Sequence, residues 1–236
     1  MKYEEMKPRE INAVVRETPI AYLVWGSLEW HGVQNPVGLD TLKAYEMTLE
    51  LCQETGGVVL PPVYCGYQTM KPWARFGHTF EHSKELVFQY ALEFLGNLYE
   101  EGFKVIVLIM GHYGNKHVDT LREAVTRFTG EHSYPRVLAI TDYEPASWVQ
   151  VQGGDHAGKN ETSLMMHFRP DLVDVLRLPE GALSWKRDGC SENAKEATPD
   201  HGAMLARLFV EQAAPKVREL LREALEGWPA EVATGD

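Results

Sequence analysis

The chain has 236 residues, a size at which one domain can enclose a substantial hydrophobic core. Its hydrophobic share of 44% and charged share of 24% are typical of globular proteins and argue against disorder. The formal net charge of −11 argues against the basic surface of a nucleic-acid-binding protein, so we expect no nucleic-acid partner.

The cysteines and the apolar segments favour a cytoplasmic protein. Cys52, Cys65 and Cys190 are odd in number and form no CxxC motif, which is typical of a reducing compartment. Residues 1–15 contain no apolar core of a secretory signal. The longest apolar stretch, Val105–Met110, is far too short to cross a bilayer, so we expect no membrane partner.

Apolar and amphipathic segments alternate along the chain. The first half predicts a strand at Ile20–Trp25, a helix at Thr41–Glu54, and a strand at Val58–Tyr64 that Pro61 and Pro62 make irregular or confine to an edge. The second half predicts helices at Ser83–Glu101, Asn115–Thr129, Glu161–Phe168 and Asp200–Leu225, and strands at Lys104–Met110 and Arg136–Thr141. This alternation is typical of an α/β fold with a mostly parallel sheet covered on both faces.

Polar residues follow the C-terminal ends of three predicted strands. They are Glu29 with His31, the segment Gly111–Asn115, and Asp142. Functional sites of such sheets lie beyond the carboxyl ends of the strands. We therefore expect the three segments to meet at one rim.

The first motif is GSLEWHGVQNPVGLD, residues 26–40. Glu29 and His31 are two residues apart and face the same side in an extended chain, and Asp40 follows after a loop. Two carboxylates and an imidazole suit Zn²⁺, Mn²⁺ or Fe²⁺. The alternative is that Asp40 only caps the N-terminus of the following helix. The residues alone leave both possibilities open.

The second motif is GHYGN, residues 111–115. Its glycines permit a tight strand-to-helix turn and leave His112 projecting at the strand end, as a further potential ligand. For Asn115 we predict no more than an N-cap.

The third motif is DHAGKNETS, residues 155–163. Asp155 beside His156 can bias the imidazole tautomer, which suits a general acid or base. Alternatively, His156 is a solvated loop residue and Glu161 compensates the charge at the start of its helix.

Other histidines and an aromatic segment have less specific interpretations. We predict that His117, His132, His167 and His201 are ordinary surface or packing residues. The aromatic segment, Tyr64, Tyr67, Trp73, Phe76 and His78, lines a substrate pocket or forms an oligomer interface.

With these three motifs in order, the chain resembles the creatininase family of amidohydrolases. Segments 77–87 and 197–211 are also similar to that family. The resemblance implies a three-layer α/β/α sandwich, one domain over residues 1–236, and a binuclear metal centre that hydrolyses non-peptide carbon–nitrogen bonds.

The resemblance also implies a role for each site residue. Glu29 and His112 bind one divalent ion, His31 binds the other, and Asp40 bridges them. Two ions (Zn, Mn or Fe) lower the pKa of a bridging water to give hydroxide at neutral pH and polarise the carbonyl. Among the catalytic residues, His156 with Asp155 beside it is the proton carrier to the leaving nitrogen. Glu161 is a metal ligand or supports the ligands.

The sequence departs from creatininase itself at two places. Creatininase has a ligand glutamate two residues after the histidine of the second motif, where this chain has Gly114. Glu161 is then the best candidate to complete the second metal site. A rough alignment places Tyr143 and Gln152 where tryptophans close over creatinine, which argues against creatinine as the substrate.

We therefore expect an amidohydrolase that acts on a small cyclic amide or formamide. The alternative is a metal-dependent peptidase that trims a small peptide or a peptide-derived cofactor precursor. A third interpretation, a binding protein without catalysis, is favoured only by Gly114. The resemblance further implies a homo-oligomer, specifically a hexamer.

Overall fold

The computed structural model describes residues 1–147 and 155–227. A central sheet contains five strands, and the described pairings are all parallel. The strands are β1 (Ile20–Gly26), β2 (Val58–Val59), β3 (Val63–Tyr64), β4 (Val105–Met110) and β5 (Arg136–Thr141). Their order is β2-β1-β4-β5, with β3 also paired to β1.

Two prolines split the edge strand, as the sequence predicts. β2 pairs with the start of β1 through Ala21 and Val58, whereas β3 pairs with its end through Trp25 and Val63. Pro61 and Pro62 lie between these two pairs and have no N–H to donate.

Helices connect and cover the strands. They are α1 (Pro8–Glu17), α2 (Leu39–Thr55), α3 (Lys71–Ala74), α4 (Lys84–Glu100), α5 (Asn115–Glu131), α6 (Glu144–Ser147), α7 (Lys159–Phe168), α8 (Trp185–Asp188) and α9 (Pro199–Gly227). Short 3₁₀ turns lie at Tyr3–Glu5, Pro170–Leu172, Val175–Arg177 and Ala194–Glu196. None of the described helices is long and apolar enough to cross a membrane.

The side chains of β1 alternate between two hydrophobic clusters. Ala21, Leu23 and Trp25 pack with residues of α1, α4 and α5. Ile20, Tyr22 and Val24 point to the opposite face and pack with residues of α2, α7 and α9. Because both faces of the strand are buried, it is apolar throughout. The three-layer α/β/α fold is confirmed.

Helix starts differ slightly from the sequence predictions. α7 begins at Lys159, two residues before the predicted start at Glu161, so Glu161 lies within its first turn. α2 begins at Leu39 rather than Thr41, which places Asp40 inside this helix. Both shifts are within the usual uncertainty of helix ends, yet they change the roles available to the two carboxylates.

Candidate metal centre

The predicted rim forms where β1, β4 and β5 end. Loops after these strands and the first turns of α2 and α7 bring six buried titratable side chains together. Their exposed fractions are all 4% or less, and they are Glu29, His31, Asp40, His112, Asp142 and Glu161. The convergence predicted from the strand ends is therefore confirmed.

Asp40 lies between two imidazoles. Its Oδ1 is 2.9 Å from Nε2 of His31, and its Oδ2 is 3.0 Å from Nδ1 of His112. Glu29 Oε2 is 3.0 Å from the same His112 nitrogen, and Glu161 Oε2 is 3.7 Å from the same His31 nitrogen. The result is three groups able to hold a metal. One is Glu29 with His31 and His156, and the other two share Asp40: a first donor set (Glu29, Asp40, His112) and a second donor set (His31, Asp40, Glu161).

The alternative role of Asp40 as a helix cap is wrong. Gly38 occupies the N-cap position of α2, and no side chain caps this end. The Asp40 carboxylate instead accepts a hydrogen bond from Ser27 Oγ at 2.7 Å. Asp40 is thus held inside the site by the end of β1.

Backbone carbonyls fix the orientation of both imidazoles. Nδ1 of His31 lies 3.0 Å from the Glu29 carbonyl oxygen, and Nε2 of His112 lies 3.0 Å from the Tyr67 carbonyl oxygen. Because a carbonyl only accepts, these two nitrogens carry the protons, and in each neutral ring the other nitrogen presents a lone pair toward Asp40. Metal-binding histidines are commonly held in this way.

The donor chemistry fits a divalent cation. Nε2 of His31 is buried and, within the described part of the chain, has no hydrogen-bond partner of good geometry, despite its proximity to Asp40. Burial opposes the imidazolium form, but the negative charges of Asp40, Glu161 and Glu29 together outweigh it and raise the pKa of His31 to about 9. Three buried carboxylates around two imidazoles therefore attract positive charge, and mixed nitrogen and oxygen donors suit Zn²⁺, Mn²⁺ or Fe²⁺.

A loop after β3 anchors Glu29. The Met70 N–H donates to Oε1 of Glu29 at 2.5 Å. The Glu81 carboxylate in turn accepts from the backbone N–H groups of Gln68 and Thr69, each at 2.8 Å. Glu81 was not singled out from the sequence, because it acts through the backbone of a distant loop.

Glu161 belongs to the second donor set and does more than compensate the charge of a helix end. Its Oε2 accepts from the Ala157 N–H at 2.7 Å, and its Oε1 lies 3.7 Å from Nζ of Lys43. Burial raises the pKa of Glu161 to about 8, although Lys43 opposes this shift.

Asp155 does not contact His156 through its carboxylate. The Asp155 oxygens accept from the backbone N–H groups of Asn160 and Glu161, at 2.9 and 3.2 Å, so they cap the start of α7. The geometry therefore contradicts the prediction that Asp155 orients the imidazole.

His156 packs inside the site. Its ring stacks on that of His31 at 4.3 Å between centroids, and its Nε2 lies 2.9 Å from the Trp30 carbonyl oxygen. Burial and the nearby His31 lower the pKa of His156 to about 4. The alternative of a solvated loop residue is wrong, and the imidazole is neutral at pH 7.

Lys43 is a site residue that the sequence did not identify. It is fully buried, and its Nζ donates to the Gly111 carbonyl at 2.8 Å, to Tyr113 Oη at 2.8 Å and to Asp142 Oδ2 at 2.9 Å. Burial opposes its charge, but the carboxylates of Asp142, Glu161 and Asp40 together outweigh it and raise the pKa of Lys43. It lies on the buried face of α2, next to Ala44.

The start of α5 also differs from expectation. Gly114, not Asn115, occupies the N-cap position, and Asn115 lies at the cavity wall. His117, predicted as a surface or packing residue, is fully buried with its ring 4.9 Å from that of His112.

A cavity of about 530 Å³ opens over both donor sets. Besides the site residues, aromatic side chains line it, namely Trp73, Tyr113, Tyr143 and Trp185. Trp73 of the aromatic segment therefore lines this cavity, whereas Phe76 stacks on Trp30 at 5.3 Å. The volume is typical of a small-molecule site. Gln152 lies outside the described residues.

The family model for creatininase (creatinine amidohydrolase) matches residues 4–217. The chain belongs to the creatininase family. A creatinine amidohydrolase of Pseudomonas putida is 26% identical over 227 residues, which cover 82% of this chain and 86% of that protein. The 3-dehydro-scyllo-inosose hydrolase of Thermotoga maritima is 23% identical over 183 residues, 72% of this chain but only 57% of the relative.

The fold of the family is reproduced closely. A solved structure of a mutant creatininase of Zn-Zn type matches this creatininase-family chain with a TM-score of 0.79 and 22% identity, and the match covers 92% of this chain and 96% of the other. The resemblance recognised from the three motifs is thus confirmed, and the chain is a hydrolase of the creatininase family.

Gly114 leaves no room for a side chain in this member of the creatininase family. A Cβ at this position would lie 2.8 Å from the Gln68 carbonyl oxygen and 3.1 Å from that of Tyr67. Such contacts are too short for a glutamate to enter without moving the loop. In place of a carboxylate at position 114, Glu161 reaches the second donor set.

Proposed function

We propose that this chain is a divalent-metal-dependent amidohydrolase that cleaves the C–N bond of a small cyclic amide or formamide. One observation carries the proposal, the position of Asp40 between His31 and His112 with a further carboxylate on each side. One shared carboxylate between two donor sets is the arrangement that two neighbouring cations need.

Each donor set would hold one ion. Glu29, Asp40 and His112 form the first set, and His31, Asp40 and Glu161 form the second. Zn²⁺, Mn²⁺ or Fe²⁺ bound there would supply an activated water and polarise the amide carbonyl. Ser27 holds the shared carboxylate and Met70 holds that of Glu29, so the chain orients its ligands before any ion binds.

His156 would move the proton. The nitrogen facing the Trp30 carbonyl carries a hydrogen, so the other nitrogen is the free base. A neutral imidazole at the cavity wall can take a proton from the attacking water and deliver it to the leaving nitrogen. The stacking of His156 on His31 places this base directly beside the second donor set.

The cavity walls favour a flat substrate. Trp73 and Trp185 approach the cavity from separate short helices, and Tyr143 lines it as well. Aromatic side chains bind planar groups by stacking. A cyclic amide or a formamide attached to a heterocycle is planar and small enough for about 530 Å³.

A substrate panel tests the proposal. Metal-loaded protein is incubated with creatinine, hydantoin-like cyclic amides, aryl formamides and short peptides, and amine or formate release is measured. We expect turnover of a cyclic amide or formamide, and none by Asp40→Asn. Release from peptides alone would favour the peptidase, and no release from any compound would favour the binding protein.

Three further expectations stay predictions. They are assembly into a homo-oligomer, a cytoplasmic location and a single domain spanning residues 1–236. Light scattering on the purified protein measures the first of these directly.

A further inference from the structure

We propose that His117 is a positioning residue that holds the Tyr67 carbonyl against His112 and so fixes the donor nitrogen of the first donor set. The inference rests on the proposed function, because it concerns how one metal site is kept in shape. Nothing in the three sequence motifs points to this role.

The peptide groups on either side of Tyr67 connect the two histidines. The Tyr67 N–H donates to Nδ1 of His117 at 3.2 Å. The Tyr67 carbonyl accepts from Nε2 of His112 at 3.0 Å. The two rings also meet edge to face, with centroids 4.9 Å apart and planes at 64°. His117 therefore holds the N–H of the residue whose carbonyl orients His112.

The chemistry of this bond fixes the state of His117. A backbone N–H can only donate, so Nδ1 of His117 is unprotonated and the ring is neutral, with its proton on Nε2. Within residues 1–147 and 155–227, Nε2 of His117 has no hydrogen-bond partner. Burying this polar nitrogen costs free energy that no second hydrogen bond offsets. An apolar side chain would fill the same space at a lower cost in free energy. The bond to Tyr67 is the contact that requires a histidine.

The first turn of α5 clamps the same loop at a second point. The Lys116 N–H donates to Oε1 of Gln68 at 2.6 Å. Gln68 has a positive φ of 58°, a conformation that needs such support in a residue other than glycine. Gly114 allows the approach, because its missing Cβ leaves space for the carbonyls of Tyr67 and Gln68. α5 thus sets the position of the carbonyl that His112 uses.

Losing the His117 acceptor should affect one metal site selectively. With no acceptor for its N–H, the backbone of Tyr67 is no longer held on this side and its carbonyl can shift, so that His112 loses the partner of its Nε2–H. Removing such a partner of a ligand histidine typically lowers metal affinity by about 10–100-fold. The second donor set takes its imidazole from His31, whose Nδ1 is held by the Glu29 carbonyl instead.

Two amide variants form a matched pair for the test. His117→Asn places an amide oxygen near the position of Nδ1, whereas His117→Gln places it near Nε2. Zinc affinity is measured by chelator competition on the full chain, and exchange of the Tyr67 amide hydrogen is followed by NMR. We expect His117→Gln to weaken one of two zinc ions by about 10–100-fold and to speed Tyr67 exchange, while His117→Asn stays close to wild type.

The outcomes separate the two proposals. A wild-type protein that takes up no metal would overturn the proposed function. If wild type binds two ions and both variants bind them as tightly, or both lose affinity equally, the role of His117 is refuted and the two-metal site stands. A lower melting temperature of both variants with unchanged zinc affinity would likewise show a merely structural role.

Discussion

Asp40 Oδ2 and His112 Nδ1 lie 3.0 Å apart, although 72 residues separate them in the chain. The contact is possible because α2 begins against the end of β4. A Cβ on Gly111 would lie 2.1 Å from the Asp40 carbonyl oxygen, so glycine at this position lets the helix approach. The position of the Asp40 carboxylate in the proposed site thus depends on the glycine at the turn after β4.

Asp40→Asn should abolish binding of both ions. The substitution keeps the shape of the side chain but removes the charge shared by both donor sets. We expect elemental analysis to give close to two ions per wild-type chain and far less than one per variant chain. Asp119→Asn, at an exposed position of α5, is the matched control and should keep the full complement. A full complement in Asp40→Asn would show that Asp40 does not bridge.

Glu161→Gln and Glu29→Gln should each remove one ion and leave the other. Glu161 belongs only to the second donor set with His31, and Glu29 contacts His112 of the first set. A neutral amide is a much weaker ligand for a divalent cation than a carboxylate. Metal analysis after dialysis should give about one ion per chain for both variants. Two retained ions in Glu161→Gln would leave the second site without its proposed ligand.

Gly114→Ala should weaken metal binding although it adds no charge. The new Cβ would lie 2.8 Å from the Gln68 carbonyl oxygen and 3.1 Å from Nε2 of His112, so the loop or the imidazole must move. We expect lower zinc affinity in chelator competition and a lower melting temperature.

Gly130→Ala is the control for the Gly114 substitution. It lies in α5, the helix that follows Gly114, with no atom within 4 Å of its added Cβ. It should leave zinc binding unchanged and stabilise the fold by about 0.5–1 kcal/mol, because alanine favours helix. Similar zinc affinities for the two variants would contradict the close packing at Gly114.

The sheet and most of the candidate ligands were predictable because their signals are local. Buried parallel strands are apolar throughout, so β1 and β4 stand out in the sequence, and polar residues at their ends mark the rim. Glu29, His31 and His112 were identified in this way. For Asp40 the residues alone left two interpretations open, since an acidic residue at a helix start has a common structural explanation, and its bridging role was predicted only from the family resemblance.

The supporting residues were not predictable because their partners are distant in sequence. Lys43 looks like one more polar residue of an amphipathic helix until Asp142 is found 2.9 Å away. His117 reaches the site only through the backbone of Tyr67, 50 residues earlier. The Asp155 prediction failed for a related reason: adjacency to His156 says nothing about which N–H groups its carboxylate meets.

The metal-free protein should lose stability as pH rises. The folded-state pKa of His31, about 9, lies above its ordinary value of 6.5, so its contribution is complete below pH 6.5 and is lost as pH rises through 9. Glu161, with a pKa of about 8, changes stability in the same direction. His156 titrates near pH 4 and adds nothing in this window.

Urea denaturation of metal-free protein between pH 6.5 and 9 measures this trend. The free energy of unfolding should fall across the window in wild type and fall less in His31→Gln. Zinc should reverse the trend, because the ligands must lose protons to bind it and affinity therefore rises with pH. A metal-free stability that rises with pH would contradict the charge balance described for the site.

Lys43→Met should destabilise the fold far more than the loss of one surface lysine. The ammonium is fully buried, and its removal leaves the Asp142 carboxylate without its cation at 2.9 Å. Breaking a buried ion pair from one side typically costs about 3–5 kcal/mol. Lys186→Met, at an exposed position of α8, is the control and should change the free energy of unfolding by less than about 0.5 kcal/mol.

The double variant Lys43→Met/Asp142→Asn separates charge from packing. It removes both members of the pair, so it should recover a large part of the stability that Lys43→Met loses, as measured by urea denaturation. Glu161 lies 3.7 Å from Nζ of Lys43 and keeps its carboxylate in the double variant, so recovery should be incomplete without metal. Zinc bound at the second donor set neutralises Glu161 and should bring the double variant closer to wild type. Equal stabilities of the single and double variants would show that Lys43 acts by filling space rather than by its charge.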